Sequence, residues 1–586
     1  MAVLGISHCM NGNLLSNWLR MDWLLRLDRT TRLVLLSVIL GVVGAVAAQV
    51  YQWMLQTAQT LLLGTIAGYQ VVDVEQTRGM LDAPTTAHPL WWIPVVTTLG
   101  GLLTGVIVYA LAPEAEGHGT DAAVRAYHVL GGRIRTRVPF VKALTSAITI
   151  GSGGSGGREG PTAQIAAGMG SIVANLLRLP EDERRFLVLV GMAAGISAIF
   201  KSPLGGAIFG VEILYSTVAF EGRALMYTII GAAVAYAFTG IHNGWAPLFY
   251  FASEPRLARS IDLVWYLILG VAAGAVGAVL PAVFYRVRDL FRRLPVPNHV
   301  KPAIGGLVVG LLGMYLPQLL GGGYGWMQLA VNGKLAMGLM LVLAVGKIIA
   351  MSFSLGSGGS GGVFAPSMYV GAMLGAGMAG LIDSWTQAGP DPVGFAVVGM
   401  AALFAGVARV PIASLIMVAE MTGGYRLIMP TMIAVAVSFL VQAALTRRAK
   451  YPCLYEAQVA APMDSPVHRE TFYNHVALML RERKMRLDDD IVGLEMAERL
   501  EQGASVPLAG GGEALYSAVV RPGAPVAGKA LRVVAFPAKV LIVSIFRDGE
   551  TLLPQGDTVL EAGDRLIVAA SLAAMDACRP LMEQSP

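Results

Sequence analysis

A chain of 586 residues with 55% hydrophobic and 14% charged content lies far outside the soluble range, where about a quarter of residues are charged. Its mean hydropathy of +0.62 excludes an ordinary soluble protein and indicates an integral membrane protein. The net charge of +5 sits largely in loops and tails and reads as membrane orientation rather than nucleic-acid binding, and three widely separated cysteines, Cys9, Cys453 and Cys578, give neither a disulfide framework nor a zinc site.

In chain order, residues 1–32 carry Arg20, Arg26, Arg29 and Arg32 ahead of the first long apolar run. A basic lead of this length is too long for an ordinary signal peptide. We expect a cytoplasmic N-terminal segment, with an amphipathic surface helix at 12–27. Residues 33–455 form the membrane region. The stretches 33–72, 224–253 and 348–382 contain no charge, and each meets or exceeds the roughly 20 residues that a spanning helix needs. Apolar segments at 91–113 and 263–285 are long enough to cross, whereas 186–200 stops short at Lys201. The 70 glycines favour close helix packing and broken helices over a water-filled barrel.

The stretch Gly-Ser-Gly-Gly-Ser-Gly-Gly occurs at 151–157 and again 205 residues later at 356–362. Each copy runs into four residues ending in proline, Arg158-Glu159-Gly160-Pro161 and Val363-Phe364-Ala365-Pro366. Glycine-serine runs usually mark flexible linkers, but unpaired backbone inside hydrocarbon is tolerated only where it lines a cavity. A helix opening at such a loop presents free N–H groups and the positive end of its dipole, which suits anions. A second correspondence is offset by 208 residues: Gly191-Met192-Ala193-Ala194, Pro203 and Glu212 recur as Gly399-Met400-Ala401-Ala402, Pro411 and Glu420 at identical spacing. The membrane region therefore reads as two repeats, about 45–250 and 260–455. The basic stretch Arg286–Arg293 reads as a cytoplasmic linker between them.

Beyond Tyr455 charges become frequent and no segment is long enough to span. Residues 456–514 read as a helical linker with a helix at 471–486, and the acidic run 488–490 as a solvated face. Residues 515–586 read as a small α/β domain, with strands at Val540–Phe546 and Arg565–Ala570 and a turn at Arg547-Asp548-Gly549.

Gly157-Arg158-Glu159-Gly160-Pro161 and Gly362-Val363-Phe364-Ala365-Pro366 resemble the two most specific motifs of the CLC family of chloride channels and proton/chloride exchangers. Glu212, the run Glu420–Tyr425 and Leu454-Tyr455 also fall where that family has them. The resemblance implies a multi-pass helical protein of two inverted repeats with broken helices, in the cell inner membrane, with both termini cytoplasmic. It also implies a homodimer with one pathway for chloride or a similar small anion in each subunit. By the same resemblance Glu159 is the gate, its carboxylate occupying the pathway when charged and leaving it when protonated, so that outside acidification raises anion flux. The Val363 and Phe364 amides face the central anion, and Tyr455 is the inner gate, with Tyr451 a nearby competitor. His118, beside Gly119, stands where the family usually has a serine that contacts the anion. Ile213, after Glu212, stands where proton-coupled members often carry an inner glutamate. An isoleucine carries no proton, so channel-like passive conduction is favoured over the alternative, a proton-coupled exchanger. Glu212 itself is read as structural, bonded to backbone ends. The carboxyl-terminal string Arg521-Pro522-Gly523, Gly528-Lys529-Ala530-Leu531, Ile545-Phe546-Arg547-Asp548-Gly549, Leu553-Pro554 and Gly563-Asp564-Arg565-Leu566 resembles the C-terminal module of RCK regulators of potassium channels. That module leaves an unidentified nucleotide or ion open as a ligand, and taken alone it suggests a remote alternative, a regulated cation transporter. No cofactor is otherwise called for, and no nucleophile–base or metal constellation of an enzyme is present in the sequence pattern.

Overall fold

A computed structural model of the protein describes residues 26–77, 91–251, 255, 262–387, 390–460, 464–467, 473, 476, 499–500, 503–508, 512–547 and 550–582. Most of the surface helix expected at 12–27 and of the helix at 471–486, together with the acidic run at 488–490 and the turn residues Asp548 and Gly549, lie outside these residues. The chain divides into two compact units, 1–458 and 459–586.

The first unit is helical. Its first half comprises α1 (Arg29–Gln59), which runs into a π-helical turn at Thr60–Ile66, then α2 (Trp92–Leu111), α3 (Thr120–His128), α4 (Arg137–Gly151), α5 (Glu159–Leu176), α6 (Glu181–Phe200), α7 (Pro203–Glu212) and α8 (Gly222–Asn243). The second half repeats the order: α9 (Asp262–Arg293), α10 (Lys301–Tyr315), α11 (Tyr324–Val331), α12 (Met337–Gly356), α13 (Phe364–Thr386), α14 (Pro392–Ala408), α15 (Pro411–Thr422) and α16 (Ile428–Thr446). Neighbours are mirrored. In the first half α5 packs on α6 and in the second α13 packs on α14, while α2 meets its own counterpart α10 and α7 meets α15. Among the described residues seven helical segments are long and apolar enough to cross a membrane, and α3, α7, α11 and α15 are short. This is the polytopic architecture of two inverted repeats with broken helices that the sequence predicts.

The short helices are set by local chemistry. α6 and α14 each end on a positively charged residue in the left-handed conformation, Lys201 (φ 53°) and Arg409 (φ 56°). Two residues later a proline opens the next helix, Pro203 in α7 and Pro411 in α15, where its missing N–H costs nothing. α14 is buried from Val393 to Ala408, as expected of a helix apolar on all sides. Its crossing with α13 depends on glycine at both faces: a Cβ on Gly371 would lie 2.3 Å from the Gly399 carbonyl oxygen, and a Cβ on Gly399 2.3 Å from that of Gly371. Gly371→Ala is expected to cost about 1–3 kcal/mol through this overpacking, measured as a lowered melting temperature of the detergent-solubilised protein. An unchanged melting curve would mean that the crossing is slack.

The basic stretch Arg286–Arg293 is not a linker. It forms the last two turns of α9, a 32-residue helix that continues through Pro281. Nothing breaks the helix until Pro295, and arginines in a last turn complement the helix dipole. In the second unit five antiparallel strands form one sheet in the order β1-β2-β5-β3-β4. These are β1 (Val506–Pro507), β2 (Ala514–Val519), β3 (Leu541–Arg547), β4 (Glu550–Leu552) and β5 (Arg565–Ala570), followed by α17 (Leu572–Met582). β5 has the bounds expected and β3 is shifted by one residue. The sheet also draws in Val506 and Pro507, inside the stretch read as helical linker. A partly buried network closes one end. Arg547 donates from Nε and Nη2 to the two carboxylate oxygens of Asp564, both at 2.7 Å, and pairs with Glu561. Asp564 is 1% exposed.

Candidate functional site

The two glycine-serine loops meet. Gly157 and Gly362 exchange backbone hydrogen bonds in both directions, each 2.7 Å, so the two copies are each other's partners across the middle of the unit. Both loops turn sharply back on the preceding helix at Gly153 (φ 106°) and Gly358 (φ 104°). A third segment joins them: the Gly117 N–H donates to Gly359 O at 3.0 Å, and the Gly361 N–H to Gly117 O at 3.2 Å.

Two segments beside these loops, 115–117 and 319–321, are held by two lysines that the sequence reading missed. Lys142 of α4 donates from Nζ to the carbonyls of Ala115 (3.0 Å) and Gly117 (2.7 Å). Lys347 of α12 donates to those of Leu319 (2.9 Å) and Gly321 (2.7 Å). Both are fully buried. Their separation of 205 residues equals that of the two loops; Lys347 is the single charge of α12, and Lys142 shares α4 only with Arg137 at its start. That recurrence was the signal available.

At the junction α5 starts at Glu159 and α13 at Phe364. Pro161 and Pro366 therefore lie in first turns rather than opening the helices. Glu159 is fully buried, and its carboxylate turns to the start of the other repeat's helix, where Oε2 accepts from the Ala365 N–H at 3.3 Å. Oε1 has no hydrogen-bond partner. A carboxylate at a helix N-terminus occupies the position that a free anion would favour. Arg158 does not neutralise it at close range: its Nε is 3.9 Å from Oε1. The guanidinium instead donates to Gln52 Oε1 at 2.7 Å and lies 4.6 Å over the Tyr324 ring. These groups line a cavity of about 600 Å³ that includes Asp73. Val363 caps α13, and the Phe364 ring packs among Phe200, Phe209 and Phe404.

His118, Gly119 and Gly160 are in close apposition. A Cβ on Gly160 would lie 2.0 Å from the His118 carbonyl oxygen and 2.9 Å from Gly362 Cα. Gly119 has φ 83° and lies against Gly160 O. The His118 ring meets the Tyr455 ring edge-on at 5.4 Å between centroids. His118 Nδ1 and the Tyr455 hydroxyl are both buried without a hydrogen-bond partner. Tyr455 is held by its neighbour Leu454, which donates its N–H to Val407 O and accepts from the Tyr285 hydroxyl. Tyr451 stacks on Tyr285 at 4.1 Å beneath Arg288, so it is Tyr455 that stands beside His118.

Glu212 lies at the repeat interface. Its two oxygens accept from the N–H groups of Ile412 (3.0 Å) and Ala413 (2.7 Å) at the start of α15. Glu420, in α15, returns the arrangement at the start of α7, accepting from Leu204, Gly205 and the Ser202 hydroxyl. Ile213 is fully buried. Among the described residues no group of three or more His, Cys, Asp or Glu is placed to hold a metal ion.

Paired helix starts inside a duplicated helical membrane unit, with unpartnered polar atoms along their junction, define an anion-transporting class of membrane protein. The chain belongs to the CLC family: residues 100–443 match the family described as voltage gated chloride channel, and residues 515–582 match the TrkA-C domain. The chain is 34% identical over 414 residues to a putative chloride channel protein ClcB-like of Ralstonia nicotianae, covering 68% of this chain and 90% of that one. It is 32% identical over 394 residues to the H(+)/Cl(-) exchange transporter ClcA of Salmonella paratyphi A, covering 64% and 82%. Its fold is similar to that of a slow cyanobacterial Cl-/H+ antiporter, with TM-score 0.59 at 22% identity over 72% of this chain and 95% of that one. It is also similar to that of a CLC-type fluoride/proton antiporter, with TM-score 0.61 at 19% identity over 73% and 98%. The protein is thus a multi-pass membrane protein of a family that transports anions.

Proposed function

We propose that the protein exchanges chloride, or a similar small anion, for protons, with Glu159 as the gate. The observation that carries this reading is the Glu159 carboxylate, fully buried and seated on the Ala365 N–H with one oxygen unpartnered. When charged it competes with the permeating anion for the α13 N-terminus; when protonated it loses that attraction and vacates the site. Each opening then carries a proton. The exchange transporter from Salmonella at 32% identity supports coupling. Passive conduction, which the sequence favoured on Ile213 alone, has the weaker support. The amides of Val363 and Phe364 supply donors for a dehydrated anion, while His118, Gly119 and Tyr455 line the inner part of the pathway. Backbone donors suit transport because they hold an anion firmly enough to admit it and weakly enough to release it.

We place the protein in the inner membrane as a homodimer with both termini cytoplasmic. Arg29 and Arg32 pair with Asp182 and Glu183 where α1 begins, and Arg288 pairs with Glu456 where the chain leaves the membrane unit; arginine-rich ends favour the cytoplasmic face. The test is purified protein in liposomes under a chloride gradient, with voltage clamped by potassium and valinomycin and outside pH recorded. Protons driven uphill as chloride runs down is the expected result. Chloride flux with no proton movement would return the passive reading.

A further inference from the structure

We infer that His118 and Asp121 form the inner proton-loading pair of the exchanger, supplying from a different helix the proton carrier that Ile213 cannot be. The inference rests on the exchange reading above. Asp121 lies in the first turn of α3. Its carboxylate accepts the N–H groups of Glu456 and Ala457, both at 3.1 Å, so it sits on the face from which the carboxyl-terminal chain emerges. Its side chain remains 23% exposed, and Oδ2 lies 3.5 Å from His118 Nε2. On the other edge of the same ring, Nδ1 is buried without a partner, next to the equally unpartnered Tyr455 hydroxyl. The imidazole is therefore a two-ended bridge. One nitrogen faces a partly exposed carboxylate and the other is buried and unpartnered on the side of the ring that packs among aromatic groups.

The proton balance closes on these groups. Asp121 takes a proton from bulk water and passes it to Nε2. The imidazolium then releases the proton on Nδ1 to the Glu159 carboxylate through water in the pathway, leaving a neutral ring that rotates to reset. The charged and titratable groups around the ring set the order of events. Burial opposes its charge most, followed by Lys142 from α4 and Arg288 from α9. Asp121 from α3 favours it. Tyr455 beside it is neutral, and Glu456 is engaged by Arg288 at 2.6 Å. An anion arriving between Nδ1 and the Tyr455 hydroxyl tips this balance toward the imidazolium, because an adjacent opposite charge favours the charged form. Proton uptake is thereby linked to anion occupancy.

The test measures the ratio of protons to chloride moved in liposomes by wild-type protein, His118→Gln and Asp121→Asn, each first shown to elute from size exclusion as wild type does. Gln keeps bulk and polarity without a titrating nitrogen, and Asn keeps an oxygen for the backbone donors. The expected result is coupled wild-type transport and a proton-to-chloride ratio at least about a hundredfold lower in both variants, the scale of a lost proton-transfer group. A merely structural role would slow both fluxes together and leave the ratio unchanged. A wild-type ratio in either variant overturns the inference while leaving exchange intact. Wild-type protein that moves chloride alone overturns the exchange reading, and this inference with it.

Discussion

Glu159→Gln is expected to abolish proton transport while leaving a chloride flux that no longer responds to outside pH. Glutamine preserves the shape of the side chain but neither binds nor releases a proton. It also lacks the charge that draws the carboxylate onto the Ala365 N–H, so the seat at the α13 start is left to the permeating anion. On the proposed gate the sign follows from which form blocks: a charged carboxylate that occupies the pathway makes wild-type anion flux rise as outside pH is lowered. The variant should hold its flux constant across the same pH range, with proton flux reduced roughly a hundredfold or more, the range for loss of a proton-transferring side chain. Both quantities come from the liposome assay. A Glu159→Gln protein with wild-type pH response would place the gate on another residue.

Glu212→Ala and Glu420→Ala should each destabilise the membrane unit, by about 1–3 kcal/mol, since each strands a donor on a buried residue, Ala413 or Gly205, and an orphaned buried donor costs about that much. Removing Glu212 leaves the Ile412 and Ala413 N–H groups without their acceptor. Removing Glu420 does the same to Leu204 and Gly205, together with the Ser202 hydroxyl. Glu212→Gln, which keeps one acceptor oxygen, should lose less. Melting temperatures of detergent-solubilised protein read the effect, with the order wild type, Glu212→Gln, Glu212→Ala expected. Unchanged melting of both alanine variants would show that water satisfies these helix ends.

The duplication was legible because it left two matching traces, the glycine loops and the Pro203/Glu212 and Pro411/Glu420 pairs. A nearly constant offset, 205 and 208 residues, survives sequence drift. The sequence reading of Glu212 as a residue bonded to backbone ends agrees with its geometry, but the reciprocal role of Glu420 was not drawn, although the equal spacing contained it. Lys142 and Lys347 were passed over because a lysine within an apolar helix has no motif, and its partners are carbonyls, which every sequence contains. Asp121 was out of reach for a different reason: it meets the backbone of Glu456 and Ala457, and backbone contacts between distant segments leave no pattern in residue types. The basic run at 286–293 was misread because charge density was weighed above the absence of a helix breaker before Pro295.

The mutual hydrogen bonds of Gly157 and Gly362 also bear on how the molecule is made. During synthesis the amino-terminal loop enters the bilayer while its partner is still some two hundred residues from being translated, and unpaired backbone in hydrocarbon is costly. The first half therefore cannot complete this pairing until the second half has been made. Contacts this distant along a chain form late. The junction of helix starts cannot close before the second repeat is in place, because the partner of Gly157 and the start of α13 both belong to it.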